Sequence, residues 1–262
     1  METTGYIAAT LIGLSLGLIG GGGSILTVPI LVYFFGVDPV IATTYSLFVV
    51  GLTSSVGAVS HYRKNKVNFK IAFMFGTPSL IAVFIMRKWV MPAMPHHLFN
   101  IGAFEITKPT LLMLVFAALM LAASVSMIKK KKEVSNINLK LNYTKLIMQS
   151  IIVGIITGFV GVGGGFLIIP SLILFARLTM KKAVGTSLMV MAMSSLLGVL
   201  GDVSRHAVIN YSFLLSFSLF SIAGILSGTY LIKYVNDAKL QPLFGWFVLI
   251  MGIFVLTSAF YK

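Results

Sequence analysis

Apolar residues dominate eight stretches of the chain, and short polar stretches separate them. The apolar stretches cover about residues 6–35, 42–60, 69–89, 110–128, 146–175, 183–201, 211–231 and 240–260. A helix needs about 20 apolar residues to cross the ~30 Å hydrocarbon core of a bilayer, and each stretch is close to that length or exceeds it. The pattern predicts an all-α integral membrane protein, with residues 91–109 as a loop at the membrane interface.

The composition agrees with this pattern. Hydrophobic residues make up 58% of the chain and charged residues 10%, and the mean hydropathy is +1.00. Soluble domains carry about 25% charged residues. The chain therefore has too few charged side chains to cover a surface that faces water on all sides.

The charge balance is strongly basic, with 20 Lys and Arg against 6 Asp and Glu and a net charge of +14. In a soluble protein this balance would indicate nucleic-acid binding. Here the basic clusters, such as residues 63–66 and 129–132, lie between apolar stretches, where they would face anionic lipid headgroups. We therefore expect membrane lipid, and no nucleic acid, as a partner.

The chain has no cysteine, so disulfides and thiolate metal sites are excluded, and no metal site or cofactor is predicted.

The two halves of the chain resemble each other. When residues 17–47 are aligned without gaps to residues 158–188, 11 of these 31 positions are identical. The identities include a Gly-x-Gly-Gly run followed six residues later by proline, which shared hydrophobicity does not explain. We predict a first membrane repeat at 1–128, a basic cytoplasmic linker at 129–143 and a second membrane repeat at 144–262, with four hydrophobic segments in each repeat.

The first segment of each half is about 30 residues long and is interrupted by glycine-rich runs, at residues 20–24 and 161–165. Consecutive glycines are poor helix formers, because each loses much backbone entropy on ordering. The pattern predicts two half-helices joined by unwound backbone. Such backbone is tolerated at membrane depth only where it is buried in protein or lines a cavity.

Two topologies follow from these breaks. If the broken segments cross the membrane fully, the chain has eight spans in two parallel repeats. If they are re-entrant, six full spans are left and the halves are inverted repeats. The positive-inside rule favours the inverted arrangement, because it places more of the basic residues on one side.

The glycine-rich breaks are the candidate substrate site. Backbone N–H groups freed at a break, together with the positive end of the following half-helix, favour an anion. The candidate residues are Gly20, Gly21, Gly22, Gly23, Ser24, Gly161, Gly163, Gly164 and Gly165. The alternative is that these glycines only allow helices to pack closely.

Hydroxyl groups in the following segments are candidate donors to the same anion. They belong to Ser46, Thr186 and Ser187, with Ser54, Ser55, Ser194 and Ser195 as weaker candidates. The alternative is that these hydroxyls bond to carbonyls of their own helix.

Titratable and charged residues near the ends of segments two and six are a candidate gate: His61, Arg63, Asp202 and Arg205. Histidine titrates near physiological pH and can respond to protons. The alternative is that these side chains anchor the protein at the membrane interface. All six acidic residues lie near segment ends, and spans without a central carboxylate suit a pathway for anions.

The paired motifs resemble the sulfite exporter TauE/SafE family. They run from Gly161 to Pro170 and on through residues 183–188, and again from Gly20 to Pro29 and on through residues 42–47. The carboxy-terminal residues 240–247 are similar to the last span of that family. The resemblance covers nearly the whole chain.

The resemblance implies a multi-pass transporter of the plasma (inner) membrane that exports a small sulfur-containing oxyanion such as sulfite, sulfoacetate or a related organosulfonate. Alternating access between the repeats would carry the anion across. Two alternatives are a passive anion channel and a membrane scaffold or assembly protein without transport. No HExxH, GxSxG or complete P-loop motif is present, so no enzymatic activity is predicted.

Overall fold

The computed structural model describes residues 2–101, 104–128, 143–203, 210–231 and 237–260. The predicted linker at 129–143 therefore lies outside the described residues except for Tyr143, and so does Arg205 of the predicted gate. The described helices are α1 Glu2–Ile19, α2 Thr27–Phe35, α3 Pro39–Tyr62, α4 Phe69–Ile85, α5 Met91–Ala93, α6 Lys108–Ile128, α7 Tyr143–Val160, α8 Gly165–Leu174, α9 Met180–Val203, α10 Tyr211–Leu231 and α11 Asp237–Phe260.

Most of the described chain is helical, as predicted. Six helices are long and apolar enough to cross a membrane, judged by length and composition within the described residues: Pro39–Tyr62, Phe69–Ala93, Lys108–Val125, Tyr143–Val160, Met180–Asp202 and Tyr211–Leu231. Large apolar side chains such as Leu219, Met148 and Ile250 are exposed on the outside of the bundle. An apolar exterior of this kind is suited to lipid rather than to water.

The prediction of an all-α chain is wrong at one place. Residues predicted as an interfacial loop form an antiparallel hairpin of β1 His97–Ile101 and β2 Phe104–Thr107, in which Asn100 pairs with Glu105. A π-helical turn, Met86–Val90, connects α4 to α5 before this hairpin. The strands contain phenylalanine, isoleucine and threonine, which favour extended backbone.

Local sequence explains where the central helices start. The Asp38 side chain accepts hydrogen bonds from the N–H groups of Val40 and Ile41, and Pro39 occupies the first turn of α3. Asn68 caps α4 by accepting from the N–H of Ile71. Both are ordinary N-caps with a side-chain oxygen on the free amides of the first turn.

The helix breaks occur where the glycines predicted them. Helix α1 ends at Ile19, and Gly20 has φ 80° and ψ −117°. The chain then continues as a 3-10 helix, Gly21–Leu26. Most of the first break is therefore helical, whereas the glycine run predicted unwound backbone there. The second break is a four-residue stretch, 161–164, in which Gly161, Gly163 and Gly164 have φ between 71° and 75°. These positive φ values favour glycine, since other residues adopt them at a cost.

The first broken segment folds back on itself. A Cβ atom on Gly5, near the start of α1, would lie 2.0 Å from Cζ of Phe35, the last residue of α2. Tyr6 and Phe35 also form an edge-to-face ring contact at 6.2 Å. The segment therefore begins and ends at the same end of the molecule.

Helices α3 and α9 form the centre of the bundle and run antiparallel. Thr44, near the start of α3, contacts Asp202 at the end of α9, and His61 at the end of α3 lies beside Gly185 near the start of α9. Both helices are 24 residues long. A Cβ on Gly57 would lie 3.2 Å from Leu188, and one on Gly198 would lie 3.1 Å from Leu47. In the alignment of the two halves, Gly57 corresponds to Gly198 and Leu47 to Leu188, so the two contacts are equivalent.

Helix α4 runs parallel to α9. Gly198 lies against Val83, and Gly201 lies against Arg87, so both helices advance in the same direction.

Helix α7 also runs parallel to α4, because Gly154 lies against Ser79 and Gly158 against Met86. Helices α7 and α9 therefore point the same way. The segment between them, which contains the second break and α8, must return the chain to the end of the molecule where α7 began. Around this centre, α1 packs against α10 and α6 packs against α11.

Candidate functional site

The two breaks meet inside the protein. A Cβ atom on Gly21 would lie 1.9 Å from the carbonyl carbon of Gly165, and one on Gly165 would lie 2.2 Å from Cα of Gly21. Real Cβ atoms do not approach other atoms this closely. The main chains of the two predicted runs are therefore in direct contact, and neither of these positions has room for a side chain.

The second break leaves a row of amide groups without partners. The N–H of Gly161 donates to the Thr157 carbonyl, and the next N–H to find an acceptor is that of Leu167, which donates to Gly164. Among the described residues, none accepts a hydrogen bond from the N–H groups of residues 162–166, all of which are buried. Buried amides without acceptors are rare in proteins. The row leads into the start of the ten-residue helix α8, whose dipole adds positive potential at the same place.

Two hydroxyl groups stand beside this row. A Cβ on Gly163 would lie 3.2 Å from Oγ of Ser195, and one on Gly164 would lie 2.1 Å from Oγ1 of Thr157. Both hydroxyls are buried, and neither has a hydrogen-bond partner within the described part of the chain. The sequence marked Ser195 as a weaker candidate and did not mark Thr157. The available signal for Thr157 was its place one helical turn before the first glycine of the break.

The hydroxyls that the sequence favoured have mostly structural roles. Ser24 donates to the Gly21 carbonyl and Ser187 to the Val184 carbonyl. Thr186 accepts a hydrogen bond of 3.0 Å from the N–H of Asn68, which joins the loop after α3 to α9. Ser46 is buried and has no partner among the described residues.

The first break is packed by neighbouring side chains and main chain. Gly20 faces Ile169 and Val184, and Gly23 lies against Ile12 and Ser15. Gly22 lies within the 3-10 helix.

Close packing also explains the glycines of α1 and α10. Gly17 and Gly228 approach each other, and Gly13 and Gly224 contact main-chain atoms of the opposite helix. These are the small-residue contacts that allow helices to approach closely in membranes.

A buried ion pair lies at the start of the second break. Nη1 of Arg87 is 3.0 Å from Oδ2 of Asp202 and 3.0 Å from Oγ1 of Thr43, and the Arg87 side chain is 1% exposed. The Thr44 hydroxyl donates to the same carboxylate oxygen at 2.8 Å. A Cβ on Gly161 would lie 2.5 Å from Nη2 of Arg87, so the guanidinium group touches the break itself.

Sequence reasoning did not identify Arg87. Its position at the end of an apolar segment, followed by Lys88, indicates an interfacial cation, and only the fold turns it inward.

The structure separates the residues of the predicted gate. His61 and Asp202 lie at opposite ends of the α3–α9 pair, and Arg63 is exposed. His61 is 1% exposed, and neither ring nitrogen has a hydrogen-bond partner among the described residues. Interfacial anchoring therefore suits Arg63 but not His61 or Asp202.

Within the described residues, no cluster of three or more His, Cys, Asp or Glu side chains could hold a metal ion.

Comparison with known proteins places the chain among membrane transporters. It matches the family model described as "Sulfite exporter TauE/SafE" over residues 6–255. It is 30% identical over 253 residues to a "Probable membrane transporter protein" of Xylella fastidiosa strain Temecula1, covering 94% of this chain and 91% of that protein.

Two Bacillus subtilis proteins of the same descriptive name are also similar. YdhB is 27% identical over 228 residues, with 86% of this chain and 87% of the relative covered. YjnA is 24% identical over 261 residues, with 97% and 99% covered. No solved structure matches the chain. The relatives and the six candidate spans identify a multi-pass protein of the cell membrane.

Proposed function

The chain belongs to the TauE/SafE sulfite exporter family, and we propose that it is a secondary transporter that exports a small sulfur-containing oxyanion. Sulfite, sulfoacetate and related organosulfonates are the candidate substrates. The family match supports a transporter with a small substrate, and the chemistry of the second break supports an anion.

The observation that carries this proposal is the row of buried N–H groups at residues 162–166 that have no acceptor within the described chain. Each such group costs free energy unless something accepts its hydrogen bond. An oxyanion has several acceptor oxygens, which suits a row of amides at the start of a helix. The hydroxyls of Thr157 and Ser195 would add two side-chain donors.

The amides of this row and the two hydroxyls are neutral dipoles, which suits transport rather than permanent binding. They attract an anion without placing a full positive charge against each of its oxygens, so the anion can leave again. Both properties are needed by a carrier that binds on one side of the membrane and releases on the other.

We further propose that the two halves are inverted repeats with re-entrant broken segments. The antiparallel packing of α3 on α9 supports this arrangement, as do the equivalent contacts of Gly57 and Gly198. A two-fold axis in the membrane plane relates helices that run in opposite directions, whereas parallel repeats would place them in the same direction. Alternating access would then result from movement of one set of helices against the other around the breaks.

The test is anion flux in liposomes that contain the purified protein. We expect export of sulfite or sulfoacetate at carrier rates, and a large loss of flux in Gly163→Ala, because that position has φ 71° and its Cβ would lie 2.5 Å from Val50. Gly76→Ala is the matched control, since its nearest neighbour would be an ordinary 3.6 Å away. Currents far above carrier turnover would support the channel instead. No flux of any sulfur anion by the folded wild type would contradict transport and favour the scaffold.

A further inference from the structure

The second break has a full positive charge at its entrance. The guanidinium group of Arg87 touches Gly161, and the row of free amides begins at the next residue. Arg87 and Lys108 are the two buried Lys or Arg side chains among the described residues. Lys108 binds the Met91 carbonyl, so Arg87 is the one of the two that contacts a break.

The partner of Arg87 is itself an anion. Asp202 accepts from Arg87 and from the Thr44 hydroxyl through one oxygen, Oδ2. A carboxylate and a sulfur oxyanion present the same kind of acceptor to a guanidinium group, namely oxygens that can accept two parallel hydrogen bonds. A halide ion has no oxygen atoms, so it cannot accept a pair of parallel hydrogen bonds in this way.

The other end of the α3–α9 pair is built differently. The ungapped alignment of the two halves places His61 where Asp202 stands and Gly185 where Thr44 stands. The basic residues Arg63, Lys64 and Lys66 follow His61 directly, so the positive-inside rule assigns that end to the cytoplasm. The Arg87–Asp202 pair is therefore at the outward end, where an exported anion would leave the protein.

We propose, on the basis of the transport function above, that Arg87 is the counter-ion of the exported anion and that Asp202 is its internal competitor. Asp202 holds Arg87 when the site is empty. The arriving oxyanion takes over hydrogen bonds from the carboxylate, which loosens the contact of α9 with the π-helical turn that follows α4. When the anion leaves, the carboxylate returns to Arg87 and closes the outward end. Arg87 thereby selects oxyanions over halides, and Asp202 promotes release.

The experiment measures sulfite affinity by calorimetry and sulfite efflux from liposomes for wild type and three variants. Asp202→Asn removes the competitor, and we expect sulfite to bind about tenfold more tightly and to be exported more slowly. Arg87→Gln should weaken binding by a similar factor and reduce the preference for sulfite over chloride. Lys108→Gln removes the other buried cation and should leave the dissociation constant and the preference unchanged.

A local readout is available because the chain has two tryptophans, one of which, Trp89, is two residues from Arg87. In a Trp246→Phe background, sulfite should change the Trp89 emission, and chloride should not.

The outcomes separate this proposal from the transport function. If wild type exports sulfite but Asp202→Asn binds it no more tightly, the competition between carboxylate and substrate is disproved while transport stands. If Arg87→Gln does not fold, the double variant Arg87→Gln with Asp202→Asn keeps the site neutral and should bind sulfite less tightly than Asp202→Asn. Equal affinity of these two variants would also disprove the role of Arg87. If wild type neither binds nor exports sulfur anions, the transport function itself is wrong.

Discussion

Ser54 of α3 and Ser195 of α9 occupy equivalent positions in the two halves, and both hydroxyls are buried without a hydrogen-bond partner among the described residues. Serines inside membrane helices usually donate to a carbonyl of the preceding turn. Ser55, which follows Ser54, and Ser194, which precedes Ser195, both do so. Our proposal of an anion site assigns these two unpartnered hydroxyls on the central helix pair to a ligand rather than to the fold.

Ser195→Ala should weaken substrate binding without weakening the fold. The hydroxyl next to Gly163 makes no internal hydrogen bond, so its removal leaves no group unsatisfied. We expect the KM for sulfite to rise by roughly five- to tenfold if a hydrogen bond worth about 1 kcal/mol or slightly more is lost. Thermal unfolding of the purified protein should not change. Ser194→Ala is the control, since that hydroxyl bonds to the Val190 carbonyl, and an equal rise in its KM would contradict the assignment.

Gly165→Ala should disrupt the contact between the breaks. The new Cβ would lie 2.2 Å from Cα of Gly21, and main-chain atoms cannot move aside as a side chain can. We expect a loss of about 3 kcal/mol of stability, at the upper end of overpacking costs. Gly76→Ala has room for a methyl group and should be neutral or stabilising by up to ~1 kcal/mol. Thermal unfolding in detergent compares the two variants, and equal stability would show that the breaks do not touch.

Thr186→Val should affect stability more than transport. Thr186 Oγ1 accepts the N–H of Asn68, and this bond fixes the loop after α3 onto α9. Its loss should cost about 1–3 kcal/mol, because the amide then has no acceptor. The KM for the anion should change less than twofold. A large rise in KM at unchanged stability would restore Thr186 to the substrate site.

Cysteine labelling distinguishes the two topologies. In the re-entrant arrangement, Arg63 and Arg177 face the same side of the membrane, whereas eight full spans would place them on opposite sides. Both residues are exposed, and the natural chain has no cysteine to interfere. We expect a membrane-impermeant maleimide to label Arg63→Cys and Arg177→Cys from the cytoplasmic side in inside-out vesicles. Labelling of the two variants from opposite sides would refute the inverted repeat.

The local pattern of the chain was sufficient to place the helices and their breaks. The helix ends at Ile19 and Val160 follow from the glycines that succeed them, because backbone entropy and positive φ depend on the residue itself. The antiparallel hairpin at 97–107 was missed, since short apolar runs next to a membrane segment do not distinguish strand from loop.

The sequence by itself determined that this is a membrane protein and where glycine runs interrupt its helices, because these properties depend on which residues neighbour each other along the chain. Only the tertiary structure decided which polar groups are free to bind. Ser187 and Ser195 look alike in the sequence, yet one donates to its own helix and the other lies beside Gly163 of the second break without a hydrogen-bond partner among the described residues. Arg87 and Asp202 are 115 residues apart and become partners only when the π-helical turn after α4 packs against α9. Hydrogen bonds and ion pairs form only when the two atoms are about 3 Å apart. For residues that are distant in the sequence, helix packing decides whether their atoms come that close.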